Sequence, residues 1–552
     1  MNLKEALRGC LTAEEKKHLK TSYDIIGSIA IIEIDDVLKN KEKLIAEKIL
    51  SLNKSIKTVL KKAGEHCGIF RTQKMTWLAG EKTKEAIHKE NNTRIKLNVE
   101  KVYFSSRLST ERKRIMQQVK PKEKILVMFS GCGPYICVLA KNTQAKRIIG
   151  IELNPAAHKY AKENLRLNKI KNAAVFNADV NKLIPNLCTG SDIGIKSHWE
   201  NEHVKAKLAK LKPAPKLIEI HIREGDLEKR YDDFCSSIKS LKKKGFKIML
   251  HAPLIYKNTE TNISTKDIET AKNTKECLDI LQKTCKKLGL IGFIAHPYTY
   301  NAEMQKKLFG KIYRNYVSVM DYFLKNSKYE HMYLENIPHG YFSEPKKIKK
   351  IAKIHSIGLC LDLAHLYTAS ENEWAFYDGI ELLSGKKTYF HIADSKHLGK
   401  KDDLREEHSY PVGKGDIDFY SIIPFINTGI IEVAGKNELR PKEARESYIK
   451  IKNMQDDIKC FDRILMPLPK SAEDFLPAAL SAARKGTKIH FYDFLHESEF
   501  FKAEEKVKKA CKKAGLEFKI TGFVKCGQHS PRTYRVCLDF VILKEKEKKL
   551  CT

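Results

Sequence analysis

The sequence predicts an α/β protein in which a doubly wound parallel sheet is interrupted by an inserted barrel of eight strand–helix units. Three observations carry this. "CFDRILMPLPKSAEDFL", residues 460–476, reads as the end of a strand, a tight Pro turn and a helix start, the late part of a nucleotide-binding sheet. The earlier part of such a sheet lies far upstream, at 125–180. Between the two, strand signals alternate with helical stretches over about 270 residues, the pattern of a closed β/α barrel.

Composition narrows the class. The chain has 552 residues, with 42% hydrophobic and 31% charged, a globular balance with room for about three domains. It contains no run of 18 uncharged apolar residues and no cleavable signal. "MNLKEALRGCLTAEEKKHLK" reads as a polar helix, so a soluble, cytoplasmic protein is expected, with no membrane contact and no obligate protein partner. The 14 cysteines form no C-x-x-C pair, which argues against a zinc ribbon or disulfide framework and fits a reducing cytosol. The formal charge of +34 is uneven: residues 1–188 with 459–552 hold 57 Lys and Arg against 31 Asp and Glu, whereas 189–458 hold 45 against 37. A nucleic acid, if bound, is expected mainly on the flanking segments.

Within 125–180, "ILVMFSGCGPY" is a buried strand running into a Gly-Ser loop, "RIIGIELNP" a second strand ending in Glu152, and "AAVFNADV" a third ending in Asp179. A strand, glycine loop and helix followed by an acidic residue at the next strand tip is the nucleoside-binding arrangement of doubly wound sheets. Gly131 and Gly133 let backbone approach a ligand. Glu152 can hold ribose hydroxyls and Asp179 an adenine amino group, with Phe129 and Asn154 beside them. The loop G-C-G-P lacks the third glycine of a dinucleotide fingerprint, so a methionine-like nucleoside without pyrophosphate is the better ligand.

"GIFRTQKMTWLAGE", "KENNTRIKLNVEKVYFSSRLSTERKRI", "MFSGCGPY", "IELNP" and "FDRILMPLPKSAEDFL" follow one another in the order found in the archaeal and eukaryotic-type tRNA (guanine-37-N1)-methyltransferases, which the chain resembles over about 22–187 and 459–543. The resemblance implies a Rossmann-like S-adenosylmethionine-dependent methyltransferase acting on tRNA. It implies three parts: an N-terminal tRNA and active-site region at 1–120, a discontinuous methyltransferase domain at 121–188 and 459–552, and the insert at 189–458. Carried over by position, Glu111 is the general base and Arg71 steadies charge on the guanine oxygen. Arg107 and Arg112 share the active-site segment, and Tyr103 joins the cofactor pocket. The chemistry fits these residue types, because guanine N1 attacks only after losing its proton to a nearby carboxylate. A cation must then hold the developing oxyanion. Pro467 stands where many members have Asn, which passes that pocket contact to backbone groups. The match starts near "SYDIIGSIAII", so the small N-terminal domain that contacts the outer corner of tRNA is expected to be missing.

The insert's strand signals are "IGIKSHW", "LIEIHI", "FKIMLHAPL", "IGFIAHP", "MYLENIP", "GLCLDLAHL", "TYFHIADS" and "GIIEVAG". Eight such units predict a TIM barrel, whose first and last strands are neighbours and so suit insertion into a loop. Their tips carry His251, His296, Glu335, Asp362 with His365, His391 and Glu432. Imidazoles and carboxylates converging without a thiolate suit a divalent metal, zinc first and manganese second. These motifs resemble xylose-isomerase-like barrels and, more closely, endonuclease IV, which adds His408 to the ligands and implies a trinuclear zinc site that cleaves phosphodiesters. Glu335, Asp362, His391 and Glu432 alone match the single-metal quartet of sugar epimerases. Two departures stand out: the family's Asp before His408 has only Glu406 as a counterpart, one position off, and Leu254 replaces the aromatic that inserts into DNA. The alternative functions are therefore a phosphodiesterase or sugar isomerase on a nucleic-acid-binding scaffold, and an inert insert that replaces the missing tRNA-contacting domain.

Overall fold

Lys124–Met128, Arg147–Glu152 and Ala173–Asn177 lie side by side as parallel strands, and Phe461–Met466, beyond the insert, pairs in parallel with Lys124–Met128. The computed structural model that shows this describes residues 2–64, 68–189, 191–200, 211, 213–265, 267–297, 320, 323–325, 328–338, 341–385, 387–396, 398–399, 409–433, 441–468 and 471–545. The chain forms two units, 1–188 with 458–552, and 189–457.

In the first unit the sheet has seven strands. From one edge these are Leu516–Ser530, Thr533–Glu545, Ala483–His496, Phe461–Met466, Lys124–Met128, Arg147–Glu152 and Ala173–Asn177. The hairpin of the last two strands in sequence is antiparallel. Ile125, Leu126, Val127 and Met128 are fully buried, as a strand covered by helices on both faces must be. The chain leaves the edge strand Ala173–Asn177 and re-enters beside Lys124–Met128, so this connection must cross two strands. At about 4.8 Å per strand spacing that is about 14 Å, and the second unit is inserted in this crossover.

The N-terminal part is a four-stranded sheet of Tyr23–Ile26, Ile29–Ile32, Thr58–Lys62 and Met75–Gly80, followed by a hairpin of Glu85–Glu90 with Thr93–Asn98. One face shares a core with the seven-stranded sheet, joining Ile31, Leu60, Ile95 and Leu97 to Ile125, Val127 and Ile136. The other face buries Ala30, Ile32 and Val59 under the helix Glu42–Leu52. The single polar N-terminal helix expected from sequence is instead two short helices, Leu3–Ala6 and Ala13–Lys17, each closed by a capping box, Asn2 with Glu5 and Thr12 with Glu15. Leu3, Leu7 and Leu11, four apart, form an apolar stripe buried against that second core, which is why the segment is docked rather than solvated.

The second unit is a closed parallel barrel of eight strands, each containing or overlapping one of the predicted segments. They are Asp192–Ser197, Leu217–His221, Lys247–His251, Gly292–Ala295, Met332–Glu335, Gly358–Asp362, Thr388–Ile392 and Thr428–Ile431. Closure comes from the register Asp192↔Thr428 to Ile195↔Ile431. Leu217, Met249, Ile294, Cys360, Tyr389 and Ile430 fill the interior. The Tyr333 ring leaves no space for a side chain on either neighbouring strand: a Cβ at Gly292 or Gly358 would come within 2.7 or 2.4 Å of it.

Because each unit has its own core, deleting 190–457 and joining the ends with a short Gly/Ser linker is expected to leave a folded, soluble protein with a single cooperative thermal transition. Circular dichroism would check it. A molten or insoluble product would show that the sheet cannot close without the barrel.

Candidate active sites

Apart from Tyr103, which precedes the helix Ser109–Gln118, the nucleoside-pocket candidates lie at the C-terminal ends of the parallel strands, where open α/β sheets bind ligands. Gly131 and Gly133 have φ of 57° and 82°, and Gly133 caps the helix Pro134–Asn142. Phe129 also has a positive φ, 56°, a conformation rare for an aromatic residue, and its ring meets Phe475 edge-on at 4.8 Å. Glu152 ties two loops together: its carboxylate accepts from the Gly131 N–H at 2.7 Å and the Asn154 N–H at 2.8 Å. Burial pushes the Glu152 carboxyl up, against those two N–H groups. The Asn154 amide donates to Lys101 O while its oxygen caps the next helix through Ala156 N–H. Asp179 accepts from Asn181 N–H at the start of Val180–Thr189. Pro467 follows Met466 in a tight turn closed by Leu468 N–H on Met466 O.

Glu111, on the helix Ser109–Gln118, is almost wholly buried. It accepts from the Tyr492 hydroxyl at 2.6 Å and from Arg114 Nε and Nη2, both at 2.7 Å. Arg112, its neighbour in sequence, faces elsewhere. Its guanidinium binds Glu90 with both arms, donates to Ser105 O at 3.0 Å and lies over the Phe104 and Tyr135 rings, so it braces the segment that leads into the helix. Arg107 is mostly exposed and pairs with Asp24 at 2.7 Å. Arg71 has φ of 51° and is half-buried. Burial loosens its proton, Tyr103 opposes that, and the like charge of Arg535 adds to it. Arg535 in turn donates to Tyr103 OH at 2.6 Å. Sequence reasoning missed Arg114, Tyr492, Arg535 and Asp539. Arg114 had a signal, since three positions after Glu111 puts it on the same helix face. The others come from strands beyond the insert and had none.

In the barrel, Glu335 joins two clusters. One carboxylate oxygen lies 2.9 Å from His296 Nε2 and 3.5 Å from His251 Nε2; the other lies 3.3 Å from His391 Nδ1 and 3.9 Å from His365 Nδ1. His251, His296 and Glu335 form one group able to hold a metal ion, Glu335, Asp362, His391 and Glu432 another, and Cys360 makes a third with Glu335 and His391, so a thiol borders the site that was expected to lack one. His365 Nδ1 lies 3.0 Å from Asn336 O, and its backbone N–H is capped by Asp362. His408 falls outside the described residues.

Two residues unforeseen from sequence complete the cluster. Glu219, fully buried on the second strand, binds His391 Nε2 at 2.9 Å. Lys196, on the first, lies 2.5 Å from Glu432 and 3.3 Å from Glu219. Burial opposes the charge on His391, but Cys360, Glu432, Glu219 and Glu335 hold it well above the imidazole range. Burial also pushes the Asp362 carboxyl up. Four carboxylates, Glu219, Glu335, Asp362 and the partly buried Glu432, crowd around Lys196 and His391, whose Nδ1 lies 2.5 Å from Glu432 Oε2. A divalent cation fits this acid-rich set of oxygen and nitrogen donors. A separate cluster in the first unit, His490 with Cys537 and Asp539, does not suit a cation: Arg114 and Arg463 already place guanidinium groups on it at 2.6 and 2.7 Å.

A glycine loop followed by acidic strand tips marks a nucleoside-binding doubly wound sheet, and the second unit gathers carboxylates and imidazoles at its strand ends. The family comparisons agree. A model described as the TRM5/TYW2 methyltransferase domain matches 86–211 and 446–520, one described as the TYW2 N-terminal domain matches 3–83, and one described as a xylose isomerase-like TIM barrel matches 216–450. The chain thus carries a TRM5/TYW2 methyltransferase domain split around an inserted xylose isomerase-like barrel. The N-terminal match begins at residue 3, well before the "SYDIIGSIAII" from which the sequence motifs were legible. Among relatives, tRNA (guanine(37)-N(1))-methyltransferase Trm5b of Pyrococcus abyssi is 43% identical over 166 residues, 30% of this chain and 50% of that protein. The tRNA (guanine(37)-N(1))/4-demethylwyosine(37)-methyltransferase Taw22 of Nanoarchaeum equitans is 44% identical over 191 residues, 34% of this chain and 61% of that one. The chain therefore spans between half and about three-fifths of these relatives. The crystal structure of Pyrococcus abyssi Trm5b aligns with 97% of this chain and 79% of its own, at 19% identity and a TM-score of 0.43. A D-tagatose 3-epimerase-like protein aligns with 48% of this chain and 98% of its own, at 20% identity and a TM-score of 0.37.

Proposed function

We propose that the first unit transfers a methyl group from S-adenosylmethionine to N1 of guanosine 37 in tRNA. The observation that carries this reading is the buried carboxylate of Glu111, held by Tyr492 and Arg114 within a split TRM5/TYW2 domain whose strand tips form a nucleoside pocket. S-adenosylmethionine supplies the electrophilic methyl. Gly131 and Gly133 admit the ligand to the backbone, Glu152 and Asp179 offer acceptors to ribose and adenine, and Phe129 and Pro467 line the loops. Glu111 takes the N1 proton, freeing a lone pair for in-line attack. Arg71 holds the negative charge that then collects on the guanine oxygen. The basic flanks suit a polyanionic partner.

Replacing Glu111 with Gln keeps the shape and a hydrogen bond but removes the proton acceptor. Methyl transfer is expected to fall by about two orders of magnitude or more with cofactor affinity nearly unchanged. Single-turnover assays with labelled cofactor on transcript tRNA, with calorimetry for binding, would check this. Collapse of cofactor binding would instead make Glu111 a pocket residue. Mass spectrometry of the nucleosides identifies the base methylated.

For the barrel we propose a divalent metal centre, zinc in preference to manganese, held by His251, His296, Glu335, Asp362, His365, His391 and Glu432. The shared Glu335 and the crowding of carboxylates and imidazoles around it support it. Bound metal would supply Lewis acidity or an activated water. Because Glu219 engages His391 Nε2, that ring would offer Nδ1 to the ion, and Glu219 would orient it. Wild-type protein purified without chelator is expected to retain metal in plasma emission analysis. Glu219→Gln is expected to weaken metal binding about 10- to 100-fold in chelator competition, and Asp362→Asn with His391→Ala and Glu432→Gln to abolish it without loss of methyl transfer. A metal-free wild type would reduce the barrel to a scaffold.

A further inference from the structure

We propose that Arg114 and Asp539 are positioning residues that set the basicity of Glu111, an inference that rests on the reading of Glu111 as the proton acceptor. Arg114 divides one guanidinium between two carboxylates. Nε and Nη2 donate to Glu111, while Nη1 donates to Asp539 at 2.6 Å and Nη2 approaches its other oxygen at 3.4 Å. Asp539 stands on Thr533–Glu545, a strand beyond the insert. A carboxylate with a bidentate arginine to itself is a poor base, because the cation stabilises its ionised form. Sharing that cation with a second anion restores part of the basicity.

The far side of Asp539 shows that the sharing is built in. Arg463 Nη1 lies 2.7 Å from His490 Nε2, and since arginine can only donate, His490 Nε2 must accept. Its proton therefore sits on Nδ1 and is donated to Asp539 at 2.6 Å. Burial holds His490 below the imidazole range, so it remains neutral. Arg463, wholly buried, is fixed in turn by Glu123 at 2.8 and 3.2 Å and by Gln118 O at 2.7 Å. Asp539 is thus an anion held in place by a neutral donor behind and a shared cation in front. Burial works against its charge, but His490 and Arg114 keep the carboxyl below its usual range.

Among the described residues, Glu111 is faced by Arg114 from its own helix, by Tyr492 from the strand Ala483–His496, by Cys537 and, through Arg114, Asp539 from the strand Thr533–Glu545, and by Tyr135 from the helix Pro134–Asn142. Tyr135, Tyr492 and Cys537 are all pushed up by burial and stay neutral, so Arg114 and Asp539 dominate the balance.

The test is the pH dependence of single-turnover methyl transfer in the full-length protein. The rate should rise with pH as Glu111 ionises. Arg114→Gln removes the cation and makes Glu111 harder to ionise, so the acid limb should move up by about one pH unit or more. Asp539→Asn leaves Arg114 to Glu111 alone, so the limb should move down and the plateau fall by about tenfold, as expected of a weaker base. Opposite shifts are not the signature of general loosening, and Asp539→Asn is nearly isosteric should Arg114→Gln fold poorly. Limbs that coincide with wild type, or shift in the same direction, would overturn the inference while leaving the methyltransferase reading intact. A wild type that transfers no methyl group to any tRNA would overturn that reading itself.

Discussion

The first unit depends on one pairing: Phe461–Met466 against Lys124–Met128, two strands separated in sequence by the whole barrel. Hydrogen bonds alone would not specify this register, and polar pairs reinforce it. Asp462 accepts from the backbone N–H of Lys124, while Arg463 is fully buried between Glu123 and His490. A buried guanidinium is costly to desolvate, and removing one partner of such a pair typically costs about 3–5 kcal/mol. That asymmetry makes the pairing selective. A strand docked one residue out would bury Arg463 without Glu123 and turn Ile464 toward the wrong face. Everything the pocket needs from the C-terminal part, including Pro467, Phe475, Tyr492 and Asp539, follows from that docking.

The barrel is governed by a different constraint, the crowding of acids. Glu219, Glu335, Asp362 and Glu432 project from four of eight strands into one buried volume, and their mutual repulsion must be offset from within. Lys196 and His391 offset part of it. Lys196 touches both Glu432 and Glu219, and Glu219 fixes the imidazole that faces Glu335 and Glu432, so these groups form one unit in which no charge can be altered alone. The first two strands thus act as a supporting layer for side chains on the later ones.

What was legible in the sequence follows from how local each signal is. The barrel strands could be read because strands buried on both faces are continuous apolar runs, and six of the eight ended in a residue that would be out of place in a core unless it had a job. Glu111 and the glycine loop were legible because their segments are contiguous. Lys196 and Glu219 were passed over since they sit inside strands rather than after them, where "IGIKSHW" and "LIEIHI" resemble ordinary alternation. Arg463 read as a strand residue like any other; its burial depends on Glu123 and His490, which no local pattern links to it. The N-terminal helix was misjudged because charge obscured the stripe of Leu3, Leu7 and Leu11. Arg112 was carried over with Glu111 from the matched segment; neighbours on a helix point about 100° apart, and it is Arg114, three positions on, that meets the Glu111 carboxylate.

The position of the break explains why a domain of this size can be accommodated. The chain departs at the end of the helix Val180–Thr189 and returns just before Phe461, that is, at the N-terminal ends of the parallel strands. Phe129, Gly131, Glu152, Asn154, Asp179 and Pro467 occupy the opposite, C-terminal ends. An insertion among those pocket loops would have had to preserve the geometry of the Gly131–Glu152 and Asn154–Lys101 contacts while opening the chain beside them. On the far edge it alters only a connection whose length is loosely constrained, since loop-closure entropy grows slowly with length. The barrel meets the remaining condition by its own closure, because the Asp192–Ser197 and Thr428–Ile431 strands that begin and end it are hydrogen-bonded neighbours.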